Sequence, residues 1–173
     1  SPALGLYFST KTGAQKYLDG KFLALAQGLE TYHRRTSSET LMGKESYEAL
    51  VSEILKGCPE EHLDWLKGRL MNGNEINLGK RIKKIIEPFK DHFGTSKERS
   101  KLLRKIVDTR NYLTHYSENL HAESAKGRDL WVLCMKIEVI FNLHFLKVIG
   151  FTDEEINNVV KNCYPLKRKL EEI

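Results

Sequence analysis

Cysteine, proline and long apolar runs are scarce in this sequence, and each scarcity closes off a class of protein. The three cysteines, Cys58, Cys134 and Cys163, are odd in number and widely separated, with no Cys-x-x-Cys pair among them. They therefore indicate neither a disulfide framework nor a zinc knuckle, and a reducing cytoplasm is the expected compartment. Only four prolines interrupt 173 residues, which leaves long stretches free to stay helical. The most apolar run, Leu130 to Phe151, is broken by Lys136, Glu138, Asn142, His144 and Lys147. It reads as a buried helix and not as a membrane span, and the first residues carry no signal-peptide pattern. Glycine-rich phosphate loops, a Gly-x-Ser-x-Gly elbow and His-Glu-x-x-His are all missing, and none of the six histidines forms an i,i+4 pair with another. A metal site and a cofactor are accordingly not expected.

What is present is helical. A hydrophobic content of 40% supports a packed core, and no segment alternates strictly enough for a half-buried strand. The expected fold class is all α, a helical bundle of about six to seven helices. Leu18, Phe22, Leu25, Leu29 and Tyr32 recur along one face of a first helix from about Ala14 to Arg35. Further helices are expected over Lys44 to Lys56, from Pro59 to about Met71, and around Ile82 to Phe89, where Pro88 should kink or shorten the helix. Thr95 with Glu98, and Thr152 with Glu155, have the form of capping boxes and open two more. Between them the longest helix should run from about Ala122 to Ile149, closed by Gly150. Residues 1–13 are expected as an extended N-terminal segment and residues 14–173 as a single domain. Trp65 and Trp131 are expected as core anchors. A chain that begins without Met is also expected to be the C-terminal part of a longer protein.

A net charge of +5 and a pI near 9.0 favour an anionic partner. The excess is concentrated: between Lys80 and Lys105 stand Arg81, Lys83, Lys84, Lys90, Lys97, Arg99, Lys101 and Arg104, opposed only by Glu87, Asp91 and Glu98. This segment leads into Arg110-Asn111-Tyr112-Leu113-Thr114-His115. There a guanidinium can grip a phosphate through two parallel bonds, an amide can steer it, and an imidazole can move a proton near neutral pH. On an ideal helix Arg110 and His115 lie about 140° apart, whereas Asn111 and His115 differ by about 40°. Either the helix loosens around Leu113 or a phosphate lies across its end. Local spacing alone also allows a plain surface reading, with Arg110 paired to Asp108, Glu118 or Glu123 and His115 set against the helix dipole.

Two segments carry a resemblance. Residues Lys21 to Arg35 (KFLALAQGLETYHRR) and Val107 to Tyr116 (VDTRNYLTHY), in an all-helical domain of this size, resemble the HEPN superfamily and within it the ApeA-like HEPN domains of anti-phage defence. The similarity covers most of the chain from about Gly13 onward. It implies a metal-independent endoribonuclease in which Arg110, Asn111 and His115 are catalytic, working as a homodimer on RNA such as tRNA. It also implies an abortive-infection effector governed by a sensor domain in the same full-length chain. Glu30, Thr114, Tyr116 and Lys105 are the accompanying candidates for substrate contact. The competing reading is a non-catalytic helical module that dimerises or binds RNA or a nucleotide, and a third is a toxin restrained by a separate antitoxin.

Overall fold

The computed structural model describes residues 2–13 and 17–171. Among these residues lie nine α-helices: α1 (Pro2–Lys11), α2 (Leu18–Thr36), α3 (Lys44–Lys56), α4 (Leu63–Leu70), α5 (Leu78–Ile86), α6 (Ser96–His115), α7 (Gly127–Val148), α8 (Asp153–Asn162) and α9 (Tyr164–Glu171). Both capping boxes form. Glu98 N–H donates to Thr95 Oγ1 at 3.3 Å while Thr95 N–H donates to Glu98 Oε2 at 2.7 Å, and Thr152 with Glu155 repeats the pair at 3.2 and 2.8 Å. Pro88 ends α5 as expected, and the chain continues as a 3-10 segment over Glu87–His92. The all-α class is correct, with α1 and α9 added to the seven helices read from sequence.

Residues 2–11 are the first correction, since they are helical where extended chain was expected. Pro2 occupies the first helical position, where its missing N–H costs nothing. A helix of ten residues is too short to persist alone, so packing must hold it. Ala3 and Thr10 are buried, and the Tyr7 hydroxyl donates to Asn142 Oδ1 at 2.6 Å while its ring lies 4.9 Å from that of Phe141. The expected start of the first helix over 14–16 lies outside the described residues, and α2 is described from Leu18. The second correction is the start of α7, at Gly127 and not near Ala122. Lys126 is extended, Gly127 takes φ of 50°, and Glu118–Leu120 form a separate 3-10 turn. Trp65 and Trp131 also depart from the core role expected of them, with 63% and 42% of their surface exposed.

The described chain clusters into two compact units, one of residues 36–77 and one of residues 1–35 with 78–173. In the smaller unit α3 and α4 form a hairpin. Its ends meet through an isolated Thr40–Glu75 bridge and through the Asn74 side chain, which bonds both Met42 N–H and Met42 O at 3.0 Å. In the larger unit α7 is the central helix. Leu130, Leu133, Cys134, Ile137, Val139, Ile140 and Leu143 are buried on all sides of it, which is the pattern of a helix enclosed by others. Phe22, Leu25 and Leu29 of α2, Ile82 and Ile85 of α5, Ile106 of α6 and Ile156 of α8 complete the core.

Among the described residues two charged side chains are buried in this unit, Arg81, whose Nη1 lies 3.3 Å from His33 Nδ1, and Glu138. The Glu138 carboxylate on α7 is buried and receives Lys11 at 2.6 Å, Lys21 at 2.8 Å and Lys169 at 2.7 Å, so three other helices converge on it. Burial by itself would raise its pKa, but hydrogen bonds from Lys11, Lys169 and Lys21 outweigh that and hold it down at about 2. His144 makes a second, neutral lock. Its Nε2–H donates to Ile85 O at 2.7 Å, which leaves Nδ1 to accept the Tyr32 hydroxyl at 3.2 Å. Burial lowers its pKa, against the raising effect of the Ile85 bond.

Because the folded pKa of Glu138 lies below the usual carboxylate value, its stabilisation is present above about pH 4.5 and is lost as pH falls toward 2. Glu138→Gln should cost about 3 to 5 kcal/mol in urea unfolding at pH 7, because three ammonium groups lose their buried partner. The gap between the two proteins should close as the pH is lowered through that window, and a constant gap would contradict the ionised assignment.

Candidate functional site at the end of the sixth helix

The helix α6 stays regular to its last residue. It ends with Tyr116 in the left-handed region, φ 50° and ψ 35°, whose N–H still bonds Tyr112 O at 2.6 Å. No loosening occurs around Leu113, so Arg110 and His115 keep the separation of about 140° that a regular helix imposes. A bulky residue at positive φ is costly, on the order of 1 kcal/mol, and here it sits beside the motif histidine.

Arg110 turns toward α2. Its Nη2 lies 3.6 Å from Glu30 Oε2, and its Nη1 donates to Asn111 Oδ1 at 3.2 Å. Glu30, with only 13% of its side chain exposed, also receives Arg34 at 3.1 Å. Two guanidinium groups thus share one carboxylate, and the local balance is positive. The guanidinium is positioned by groups that leave several of its five N–H donors unengaged. With its Oδ1 accepting from Arg110, Asn111 keeps its amide N–H groups for another acceptor. His115 is exposed and has no hydrogen-bond or ion-pair partner among the described residues. The surface pairing of Arg110 with Asp108, Glu118 or Glu123 does not form; Asp108 pairs with Arg104 at 3.4 Å.

The remaining candidates separate. Thr114 is exposed, and its hydroxyl donates back to Arg110 O at 2.7 Å. Tyr116 is 68% exposed, its ring edge-on to Tyr112 at 5.7 Å. Lys105 is engaged elsewhere: its ammonium donates to Glu123 O at 2.6 Å and ties α6 to the loop before α7. Beneath that loop Thr109, fully buried, accepts Ala125 N–H at 2.9 Å. The sequence reading missed a neighbouring group in which Tyr112 lies 5.4 Å from the His121 ring and 5.7 Å below Lys126 Nζ. Only the regular spacing of Tyr112 from Tyr116 signals it locally, because His121 and Lys126 arrive across a loop.

Charge is divided between the two units. Residues 36–77 hold eight acidic against four basic side chains, whereas the rest of the chain, which carries the motif, holds 15 against 24. Among the described residues no three His, Cys, Asp or Glu side chains converge where a metal ion could sit. No helix of the described residues is long and apolar enough to cross a membrane.

A family model described as Apea-like HEPN matches residues 23–155, a span that includes Glu30, the whole motif and the loop after it. No curated protein and no solved structure matches the chain.

Thr109→Val keeps the side-chain volume but leaves Ala125 N–H buried without its acceptor. It should cost about 1 to 3 kcal/mol in urea unfolding and speed amide exchange over residues 117–126. Stability and exchange equal to the parent protein would show that the loop is held by other means.

Proposed function

Since the chain belongs to the Apea-like HEPN family, we propose that it is a metal-independent endoribonuclease that acts as the effector of anti-phage abortive infection. The observation that carries this reading is the contrast within one helix end. Arg110 is half-buried and positioned by Glu30 and Asn111, while His115 is exposed and unpartnered among the described residues. A phosphate grip needs a fixed guanidinium, and a proton carrier needs access to solvent and substrate.

In the proposed reaction the ribose 2′-hydroxyl attacks its own neighbouring phosphorus. The O2′–P bond forms, the P–O5′ bond breaks, and the products are a 2′,3′-cyclic phosphate and a 5′-hydroxyl. His115 takes the 2′-hydroxyl proton or delivers one to the departing 5′-oxygen. Arg110 stabilises the negative charge that builds on the phosphorane, and the free N–H groups of Asn111 orient the same phosphate. The wide angle between Arg110 and His115 favours a phosphate lying across the end of α6. In a homodimer, as the family resemblance implies, two facing helix ends would supply one imidazole as base and another as acid. Thr114 and Tyr116 flank the substrate, and Glu30 acts as a positioning residue through Arg110. The basic excess of the larger unit draws in RNA, tRNA or another structured RNA being the expected substrate. A sensor domain in the full-length protein would hold the activity in check in the cytoplasm.

The test is purified protein incubated with total tRNA, and with single-stranded DNA, in the presence of EDTA. Cleavage of RNA alone is expected, with His115→Ala slower by about 10² to 10⁴. Arg110→Lys should not restore activity, because an ammonium lacks the planar fork. RNA binding without cleavage by the folded wild type would favour the binding-module reading, and near wild-type cleavage by Arg110→Lys would remove the role given to its two-pronged geometry.

A further inference from the structure

The loop between α6 and α7 brings a second set of RNA-compatible groups to the helix end that carries His115. Its backbone is already secured without them, by Lys105 Nζ on Glu123 O, by Ala125 N–H on Thr109 Oγ1 and by the Ser124 hydroxyl on His121 O. Ser124 and Ala125 are buried, while His121 and Lys126 on either side of them are exposed. Those two side chains are therefore not needed to close the loop.

Their chemistry is specific. Lys126 Nζ lies 2.7 Å from His121 Nε2 and 5.7 Å from the centre of the Tyr112 ring. Glu118, Glu123 and Asp129 are close in sequence, yet Lys126 forms no ion pair with any of them among the described residues. A cation whose partners are an imidazole and an aromatic face keeps its charge uncompensated. Lys126 also directly precedes the positive end of the α7 dipole. Tyr112 also packs edge-on against the ring of Tyr116, a residue that is 68% exposed and directly follows His115. An uncompensated cation over the Tyr112 ring and an exposed ring packed edge-on against the same Tyr112 are the two elements that hold one nucleotide of a single strand, the first its phosphate and the second its base.

We propose that Lys126, His121 and the paired rings of Tyr112 and Tyr116 form a second RNA subsite, which holds the phosphate and base of a nucleotide adjacent to the cleaved bond. This rests on the ribonuclease reading above and extends it to a substrate class: RNA that is single-stranded next to the cut, since a base in a duplex cannot turn onto Tyr116. Lys126 and His121 would set affinity and register without taking part in proton transfer.

The test uses His115→Ala as a cleavage-silent parent and measures its binding to a labelled single-stranded oligoribonucleotide by fluorescence anisotropy over a salt series. Adding Lys126→Ala should weaken binding about five- to tenfold and reduce the salt slope by about 0.7, the loss of one phosphate contact. Lys126→Arg should retain the slope, and Tyr116→Ala should weaken binding at least fivefold with little change in it, as expected for lost stacking. In the otherwise native protein Lys126→Ala should raise KM and leave kcat within about twofold, unlike a residue acting in the transition state. Binding and slope equal to the parent in Lys126→Ala would overturn the subsite while leaving the ribonuclease reading intact. A parent that does not bind RNA at all would overturn both.

Discussion

A buried carboxylate surrounded by three ammonium groups holds the larger unit in register. Glu138 lies on the central helix, and Lys11, Lys21 and Lys169 reach it from α1, α2 and α9. Withdrawing a carboxylate from water is expensive, so the arrangement is stable only while all of its partners are correctly placed. The consequence extends to the motif. Lys21 and Glu30 lie nine residues apart on α2, about 13 Å along its axis. One end of that helix is held to α7 through Glu138, and the other carries the carboxylate that positions Arg110. Helix packing and site geometry therefore depend on the same element.

The helix end itself is arranged differently. Tyr116 adopts a conformation that most side chains avoid, His115 has no partner among the described residues, and Lys126 carries a charge that no carboxylate balances. Of these the Tyr116 backbone is the departure from what stability alone would select. The layer beneath it is firmly bonded, Thr109 to Ala125 and Lys105 to Glu123, and over-determines that strained turn.

Features with local causes were legible in the sequence. The two Thr-x-x-Glu capping boxes, the span of α3 and the break at Pro88 depend on residues within a few positions of each other, and the structure contains them. The Arg-Asn-His pattern was legible for the same reason. Features with tertiary causes were not. α1 and α9 are held by Tyr7–Asn142 and Lys169–Glu138, contacts that cross 135 and 31 residues and leave no local signal. The convergence of Lys11, Lys21 and Lys169 has no sequence periodicity, and Glu138 reads locally as one more charge interrupting an apolar run. Trp131 shows the converse: an aromatic residue in an apolar stretch reads as core, although its place on α7 leaves it part-exposed.

In the proposed reaction the substrate's own 2′-hydroxyl supplies the nucleophile while Arg110 and His115 supply charge and protons. The most direct measurement is the chemical identity of the ends left on a defined RNA oligonucleotide cut in EDTA, read by mass spectrometry. A 2′,3′-cyclic phosphate on the upstream fragment and a 5′-hydroxyl on the downstream one are the expected result. A 3′-hydroxyl with a 5′-phosphate would contradict it, because those ends require water and not the ribose to attack the phosphorus.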